Sequence, residues 1–307
     1  MSPLSFPAQV GAVVALAVFW ALNWPMMKIG LTVVEPWTFR AVTSLAGAIG
    51  CLALCPLFGQ SIFVRRAEWV PLLWLGLFQG VFWNAFSGFG ITLVEAGRAS
   101  VLAFTMPVWA TLFSVIFIGE TVTGRRLAGL VLGMGGIVLL LVPAMYTLGH
   151  ALTGTLLMIA AAASWGIATV ILKAVHWEAG TLTLAGWQFI IGLVPITLAA
   201  VTIGDPASLL RLDGVAGAAL LYSALIPMIF CQAVWFAMVR RLPASLASMG
   251  TLLIPPMGVF FSFLILGEPI GIYELGAVVL VVCAMVMILP GLNWRAILHP
   301  PPKSPPV

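Results

Sequence analysis

The chain has 307 residues, of which 62% are hydrophobic and only 7% are charged, and its formal net charge is +4. Soluble globular domains carry roughly 25% charged residues, so this composition excludes a soluble globular protein and indicates a chain surrounded by lipid. In a membrane protein a modest positive charge reports orientation rather than nucleic-acid binding. We therefore expect membrane lipid around the chain and no nucleic-acid partner.

In chain order, ten apolar segments approach the roughly 20 residues that a helix needs to cross a bilayer. They are 8–30, 36–56, 68–92, 96–118, 124–142, 152–174, 180–203, 213–239, 244–267 and 271–290. The sequence therefore predicts an all-α polytopic membrane protein with ten transmembrane helices. The first segment is too long for the apolar part of a signal peptide, so we expect a retained span. The proline-rich end, 292–307, is expected to be a disordered cytoplasmic tail.

The lysines and arginines are unevenly shared between alternate loops. If the N-terminus is cytoplasmic, the cytoplasmic side holds Arg65, Arg66, Arg125, Arg126, Lys173, Arg240, Arg241, Arg295 and Lys303. The other side holds Lys28, Arg40, Arg98 and Arg211. This bias follows the positive-inside rule. Because an error of one span would scramble the alternation, it supports the ten spans and cytoplasmic N- and C-termini.

Two long stretches of the chain match each other. The stretch "EAGRASVLAFTMPVWATLFSVIFIGE" at 95–120 matches "LPASLASMGTLLIPPMGVFFSFLILGE" at 242–268 when it is shifted by 148 positions. The shift aligns eight identical residues without a gap, ending with Glu120 on Glu268. The match indicates that the fourth and ninth spans are copies of one ancestral segment.

The first span of each half also aligns, with Trp20 on Trp165 at a shift of 145. The matching spans are separated by five crossings, and because five is odd the two halves must insert with opposite orientations. Inverted repeats of this kind build many secondary transporters and place a site near the bilayer midplane, where the halves meet. We expect a first repeat at 1–148 and a second at 149–291.

Several motifs, in their order along the chain, resemble those of EamA-type members of the drug/metabolite transporter superfamily. They are "FWALNWPMMKIGL" and "SWGIATVILKAV", Arg40 at the start of the second span, the A-x-x-A-S-x6-P stretch of spans four and nine, and the terminal "GE" of both. The resemblance covers nearly the whole chain. Two positions depart from it: Pro25 interrupts the first span, and Gln188 stands where the first repeat has Arg40.

The resemblance implies ten helices in two EamA repeats that carry small metabolites across a membrane, here the bacterial cytoplasmic (inner) membrane. Within the superfamily the chain looks most like bacterial amino-acid exporters, including the aromatic amino-acid branch. The implied substrates are amino acids with aromatic or apolar side chains. We expect the protein to act as a monomer or a weak homodimer.

The first span carries three residues that are unusual in a lipid-facing helix. Asn23 lies about four turns into the span, where polar side chains usually face protein or water, so we expect it to line a central cavity. The alternative is an interhelical hydrogen bond that only joins two helices. Pro25 is expected to bend the helix, and Lys28 is expected to snorkel at the outer rim.

The third span, "LGLFQGVFWNAFSGFG", places Phe82, Trp83 and Asn84 near mid-depth. At the shift of 148, Asn84 falls on Gln232 of the eighth span. Two amides at inverted positions could bind the amino and carboxyl groups of an amino acid without a buried charge. The alternative is a structural amide bridge between helices.

The repeat also places tryptophan symmetrically in the first helix of each half, where an indole could stack on a planar side chain or contact an ammonium group. Phe104 and Met106 could complete an adaptable apolar wall. The predicted substrate-binding set is Trp20, Asn23, Phe82, Trp83, Asn84, Phe104, Met106, Trp165 and Gln232.

All the acidic residues lie at or near predicted span ends, and the three histidines lie in loops or the tail. A proton-coupled carrier usually needs a titratable group in its pathway, so we predict alternating access without coupling, which amounts to facilitated export. No nucleophile–base pair, metal-ligand cluster or cofactor motif is present at depth. We therefore expect no enzyme activity, no catalytic residue, no metal and no cofactor.

Other transport classes remain open at this stage. A multidrug or organic-cation exporter would tolerate a tryptophan-rich cavity, although a dication would prefer a carboxylate. Phosphorylated anions fit less well, because Lys28, Arg40 and Lys173 are all expected near span ends. A channel is a further alternative and would differ from a carrier in counterflow.

Overall fold

The computed structural model describes residues 6–121, 123–147, 149–232, 234 and 244–288. Throughout these residues the regular secondary structure is helical. The predicted tail at 292–307 and the cytoplasmic pair Arg240 and Arg241 lie outside the described residues.

Ten helices, numbered in chain order, make up the described part of the bundle. They are α1 Phe6–Gly30, α2 Pro36–Leu54, α3 Arg66–Leu93, α4 Ala96–Ile118, α5 Gly124–Thr147, α6 His150–Ala174, α7 Thr181–Thr202, α8 Gly214–Cys231, α9 Ala244–Leu266 and α10 Ile272–Ile288. Each coincides with one predicted span. Helices α1 to α8 are long and apolar enough to cross a membrane, whereas the remaining apolar helices, Leu252–Leu266 and Ile272–Ile288, are shorter.

Several helix ends follow from local sequence. Glu35 precedes α2, and its carboxylate accepts from the backbone N–H groups of Trp37 at 2.9 Å and Thr38 at 3.0 Å. This arrangement satisfies donors that have no partner inside the helix. Gly119 and Gly267, which belong to the repeated "GE" motif, end α4 and α9 with a φ of 67° each. Glycine adopts this left-handed conformation without strain, which explains its use at both ends.

Contacts between loops define two ends of the bundle. The Lys28 end is formed by residues 28–35, 91–98, 205–208 and 268–274. The Arg65 end is formed by residues 60–68, 120–126, 173–182 and 286. These contacts require successive helices to run alternately up and down, as the predicted loops do.

The packing partners of the helices follow a regular pattern across the two halves. In the first half α3 packs against α6 and α7, and in the second half α8 packs against α1 and α2. Likewise α4 packs against α6, and α9 packs against α1. The pairs α2–α7 and α5–α10 join equivalent helices of the two halves. Exchanging the halves therefore maps the pairs of α3 and α4 onto those of α8 and α9, and maps α2–α7 and α5–α10 onto themselves.

Two π-helical segments, which the sequence analysis did not predict, interrupt the third and eighth helices. They are Gly76–Phe82 in α3 and Ile226–Cys231 in α8. At the shift of 148 that aligns the repeats, residues 78–82 coincide with 226–230. Single π turns inside α-helices are frequent at functional sites.

Glycines allow each π segment to approach a helix of the other half closely. A Cβ atom added to Gly192 of α7 would lie 2.6 Å from the carbonyl carbon of Gly80. A Cβ atom added to Gly50 of α2 would lie 2.4 Å from the side chain of Ile229. Glycine at Gly192 thus lets the two backbones come into contact, and glycine at Gly50 makes room for the Ile229 side chain.

We predict that Gly192→Ala destabilises the protein. The added methyl would meet the backbone of Gly80, so one of the two helices must shift. The expected loss is about 1–3 kcal/mol of unfolding free energy. Thermal unfolding in detergent measures it. In the control, Gly217→Ala, the added Cβ meets nothing within 4 Å. That variant should be neutral or slightly more stable, and an equal loss in both would contradict the role of the glycine contact.

Candidate functional site

Two tryptophans from opposite halves of the chain meet near mid-depth. The rings of Trp83 on α3 and Trp165 on α6 lie edge to face, with centroids 4.7 Å apart and an interplanar angle of 71°. Both side chains are half-buried. Edge-to-face packing is a favourable arrangement for aromatic rings. The structure therefore brings these two predicted site residues together at the junction of the halves.

Three more predicted residues lie in or against the buried apolar cluster on which Trp83 also packs. Phe104 is buried in it, at the turn between Ala96–Ala103 and Met106–Ile118. Trp20, Trp83 and Met106 are partly buried against it. Phe82 also keeps some exposure, and its ring stacks on Phe86 at a centroid distance of 5.7 Å.

The predicted amides have different surroundings. Asn23 is half-buried, and its Oδ1 atom is buried without a hydrogen-bond partner. Asn84 is only 2% exposed, and its Nδ2 donates to the carbonyl of Gly80 at 2.8 Å in its own helix. It thereby satisfies a carbonyl that the π segment leaves without regular α-helical pairing. Gln232 is half-buried directly after the second π segment, and no hydrogen bond joins it to Asn84 in the described structure.

Lys28 closes one end of α3 instead of reaching for water at the rim. Its Nζ donates to the carbonyls of Ile91 at 2.6 Å, Thr92 at 3.2 Å and Val94 at 2.7 Å. The last carbonyls of a helix have no partner within it, so an ammonium group there supplies both hydrogen bonds and a favourable charge. The sequence analysis expected Lys28 to snorkel and did not predict this contact.

Glu268 does the corresponding task at the start of α4. Its carboxylate accepts from the backbone N–H of Ala96 at 2.7 Å and of Gly97 at 3.0 Å. An anion at a helix N-terminus is favoured by both the free N–H groups and the helix dipole. One turn into α4, the guanidinium of Arg98 lies 3.2 Å from the carboxylate of Glu274. Charged groups thus fasten α1, α3, α4, α9 and α10 together at the Lys28 end.

The Arg65 end contains the repeat counterparts of these residues in a different arrangement. Glu120 pairs with Lys173, and with Arg126 at 3.1 Å. The hydrogen bond from Lys173, with a further contribution from Arg126, lowers the pKa of Glu120 below its usual value. Arg126 lies six residues from Glu120 in the sequence, so this pair fastens the turn between α4 and α5. The side chain of Lys173 is 51% exposed, so this end is more open to solvent than the Lys28 contacts.

The structure also buries a charge near a helix end; the sequence predicted its place near the end but not its burial. Arg40 of α2 is 3% exposed, and its Nη2 donates to Ser87 Oγ of α3 at 2.7 Å. Depth counted along one helix could not show that α3 covers this side chain. The polar pair Thr43 and Ser44, one turn further along α2, was the available signal for a buried polar face.

The bundle is that of a multi-pass membrane protein. A family profile described as the EamA-like transporter family matches residues 9–142 and again 152–289. The chain belongs to this family, and it is a transporter rather than an enzyme. The double match covers both of the halves that the internal repeat predicts.

Individual proteins resemble the chain over most of its length. The uncharacterized transporter YoaV of Bacillus subtilis is 25% identical, covering 90% of this chain and 94% of the relative. A probable amino-acid metabolite efflux pump of Escherichia coli is 26% identical, covering 91% and 94%. A probable terminal-alkyne amino-acid exporter of Streptantibioticus cattleyicolor is 27% identical, covering 84% and 86%. One crystal structure matches the fold with a TM-score of 0.63 at 18% identity, over 97% of this chain and 99% of that one.

We predict that Lys28→Met destabilises the protein more than Lys173→Met. The first change leaves buried carbonyls of α3 without a donor, and hydrogen bonds to charged groups contribute about 2 kcal/mol each. For a chain of this size, a loss of about 2 kcal/mol corresponds to a fall of about 4–8 °C in Tm. Lys173 is exposed and Glu120 keeps Arg126, so the control should lose less than about 1 kcal/mol. Equal losses in detergent unfolding would show that the Lys28 contacts contribute no more than a surface ion pair.

Proposed function

We propose that the protein exports amino acids or similar small metabolites across the bacterial cytoplasmic membrane. The observation that carries this proposal is the meeting of Trp83 and Trp165, one from each half, at mid-depth. An aromatic surface at the junction of two repeats suits an apolar or aromatic side chain. Two relatives support the substrate class, since their names describe an amino-acid metabolite efflux pump and an amino-acid exporter.

The transport mechanism we propose is alternating access of two inverted five-helix repeats, at 1–148 and 149–291. The exchange symmetry of the helix pairs and the two π segments at equivalent positions support it. The first helices α1 and α6 pack against α9 and α4 of the other half, so rocking one repeat would move these pairs relative to each other. In the state described, charged contacts hold the Lys28 end together.

We further propose that both termini are cytoplasmic, which makes the Arg65 end the inner end. The described cations Arg65, Arg66, Arg125, Arg126 and Lys173 belong to that end, in keeping with the positive-inside rule. The Lys28 end then faces outwards.

Transport is proposed to be uncoupled from protons. A proton carrier needs a group that titrates within its pathway. The carboxylates of this chain lie at or near helix ends, and Glu120 has a pKa below its usual value because Lys173 and Arg126 stabilise its charged form. These contacts favour the ionised carboxylate in the state described, which does not suit a group that must take up a proton.

The predicted site residues remain proposals of this function: Trp20, Asn23, Phe82, Trp83, Asn84, Phe104, Met106, Trp165 and Gln232. The unpartnered Oδ1 of Asn23 is suited to accept a hydrogen bond from a substrate ammonium. The contacts of Asn84 with its own helix support a role in holding the π segment in shape rather than direct binding through Nδ2.

The test is counterflow of radiolabelled phenylalanine in proteoliposomes, with unlabelled competitors and with or without a pH gradient. We expect saturable exchange that tyrosine, tryptophan and methionine compete for and that the gradient does not change. Trp165→Ala should raise KM by about tenfold, because it removes one ring of the aromatic pair. Trp74→Ala is the matched control, since Trp74 is 53% exposed on the outer surface of the bundle.

Three outcomes would contradict parts of the proposal. Transport of a lipophilic organic cation in place of amino acids would favour a multidrug exporter. Net flux without acceleration by substrate on the far side would indicate a channel. A strong response to the pH gradient would show that transport is coupled.

A further inference from the structure

The guanidinium of Arg40 is the most deeply buried cation of the described structure. It lies on the fifth residue of α2, with α3 covering it, and the residue is 3% exposed. One donor, Nη2, is satisfied by the hydroxyl of Ser87 at 2.7 Å. Another, Nε, is buried and has no partner. A guanidinium presents five N–H donors, so a single hydroxyl leaves its hydrogen-bonding capacity largely unused.

Arg40 also lacks a carboxylate partner. Four other described arginines form ion pairs with carboxylates, and they are Arg65, Arg98, Arg126 and Arg211. Arg98 is the closest comparison, because it too is buried, yet Glu274 lies 3.2 Å from it. Within the described residues no acidic side chain lies within ion-pair distance of Arg40. A buried charge without a counter-ion is costly, and it is kept where it does a task.

We propose that Arg40 binds the carboxylate of the transported molecule. This inference rests on the proposed transport of amino acids and names the group that recognises them. A guanidinium matches a carboxylate with two parallel hydrogen bonds, and the pairing neutralises both charges at a buried position. The carboxylate of the substrate is thus the counter-ion that the protein itself does not provide.

The position of Arg40 relative to the aromatic pair fits an amino acid. Trp83, Ser87 and Ile91 follow one another at intervals of one turn along α3. Ser87 accepts from Arg40 and donates to the carbonyl of Trp83 at 2.5 Å, so the guanidinium lies about one turn, or roughly 5 Å, from the level of the tryptophans. A carboxylate held at Arg40 would leave the side chain of an amino acid within reach of Trp83 and Trp165.

The layers beyond Arg40 along α3 are held by charged contacts. One turn further along α3 lie the carbonyls of Ile91 and Thr92 that Lys28 binds, and beyond them Glu268 caps the start of α4. On the other side, Ser44 lies one turn deeper along α2, with its Oγ buried and unpartnered. A carboxylate at Arg40 would therefore stand about one turn below these charged contacts, with a free hydroxyl nearby.

A purely structural role for Arg40 makes a different prediction. If the guanidinium only joined α2 to α3, the bond to Ser87 would be its whole contribution. Ser87→Ala and Arg40→Gln would then have the same effect. If Arg40 binds carboxylate, Arg40→Gln abolishes the preference for ligands that carry a carboxylate, whereas Ser87→Ala retains it.

The test measures binding to the purified full-length protein in detergent, with phenylalanine as the radiolabelled probe. The competitors are phenylalaninamide and phenethylamine, which lack the carboxylate, and 3-phenylpropionate, which lacks the amino group. We expect the wild type to prefer phenylalanine over its amide by about tenfold or more, since the lost hydrogen bonds involve two charges. Arg40→Gln should reduce this ratio to about one, whereas Ser87→Ala and the exposed control Arg65→Gln should retain it.

The outcomes separate this inference from the proposed function. Phenylalanine binding with the same acid-to-amide ratio in wild type and Arg40→Gln overturns the carboxylate site and leaves amino-acid transport standing. If phenylalanine does not bind, 3-phenylpropionate is labelled and measured directly. Its binding, if lost in Arg40→Gln, supports the carboxylate site and contradicts amino-acid transport. If Arg40→Gln does not fold, Arg40→Lys decides: a reduced ratio supports the proposal, because an ammonium cannot form the two-pronged contact, and an unchanged ratio overturns it.

Discussion

The bundle depends on satisfying the polar groups of its backbone from within the protein, because hydrocarbon offers no hydrogen bonds. An α-helix pairs the polar groups of its central backbone, but the N–H groups of its first turn and the carbonyls of its last turn have no partner within it. The short connection between α3 and α4 leaves carbonyls of one helix and N–H groups of the next side by side. Lys28 satisfies the carbonyls and Glu268 satisfies the N–H groups. Since these two residues come from α1 and α9, satisfying one connection also fixes where two other helices lie.

The same constraint explains why the halves interlock through glycine. Lipid tails are as apolar as side chains, so helices in a bilayer gain little by burying apolar surface and associate through close packing instead. Gly80 and Gly192 let α3 and α7 touch backbone to backbone. On the other side of the bundle, Gly50 admits Ile229 of the second π segment. Each half thus provides the groove into which the irregular helix of the other half fits.

The helical segments could be predicted from the sequence because hydropathy and length alone determine them. The end of α2 at Leu54 and the start of α5 at Gly124 lie where polarity changes. The π segments could not, since residues such as Gly76 and Ile226 have no distinctive pattern, and the irregularity arises from packing against another helix. The pairing of Trp83 with Trp165 could be predicted only in part. The repeat singled out Trp165, but the sequence does not show that α3 contacts α6.

For most of the charged residues, the neighbouring groups could not be predicted from the sequence. Counting along a helix measures depth but not which neighbour covers a side chain. Arg40 does lie near a helix end, as predicted, but its burial by α3 could not be predicted. Lys28 likewise lies at the end of its helix, but its contacts with the α3 carbonyls could not be predicted. The pair of Glu120 and Arg126 is simpler, because its two residues are close in sequence and share one turn.

The buried contact between Arg40 and Ser87 also bears on how the chain enters the membrane during synthesis. Helix α2 emerges from the ribosome before α3, and at that stage Ser87 does not yet exist to meet the guanidinium. A lone arginine at the centre of an inserting helix costs about 2.5–3.5 kcal/mol, but Arg40 is only four residues from the start of α2 and can reach the headgroups at that edge. Its burial must wait for α3. The smallest unit that can insert with its charge covered is therefore the hairpin of α2 and α3, rather than either helix alone.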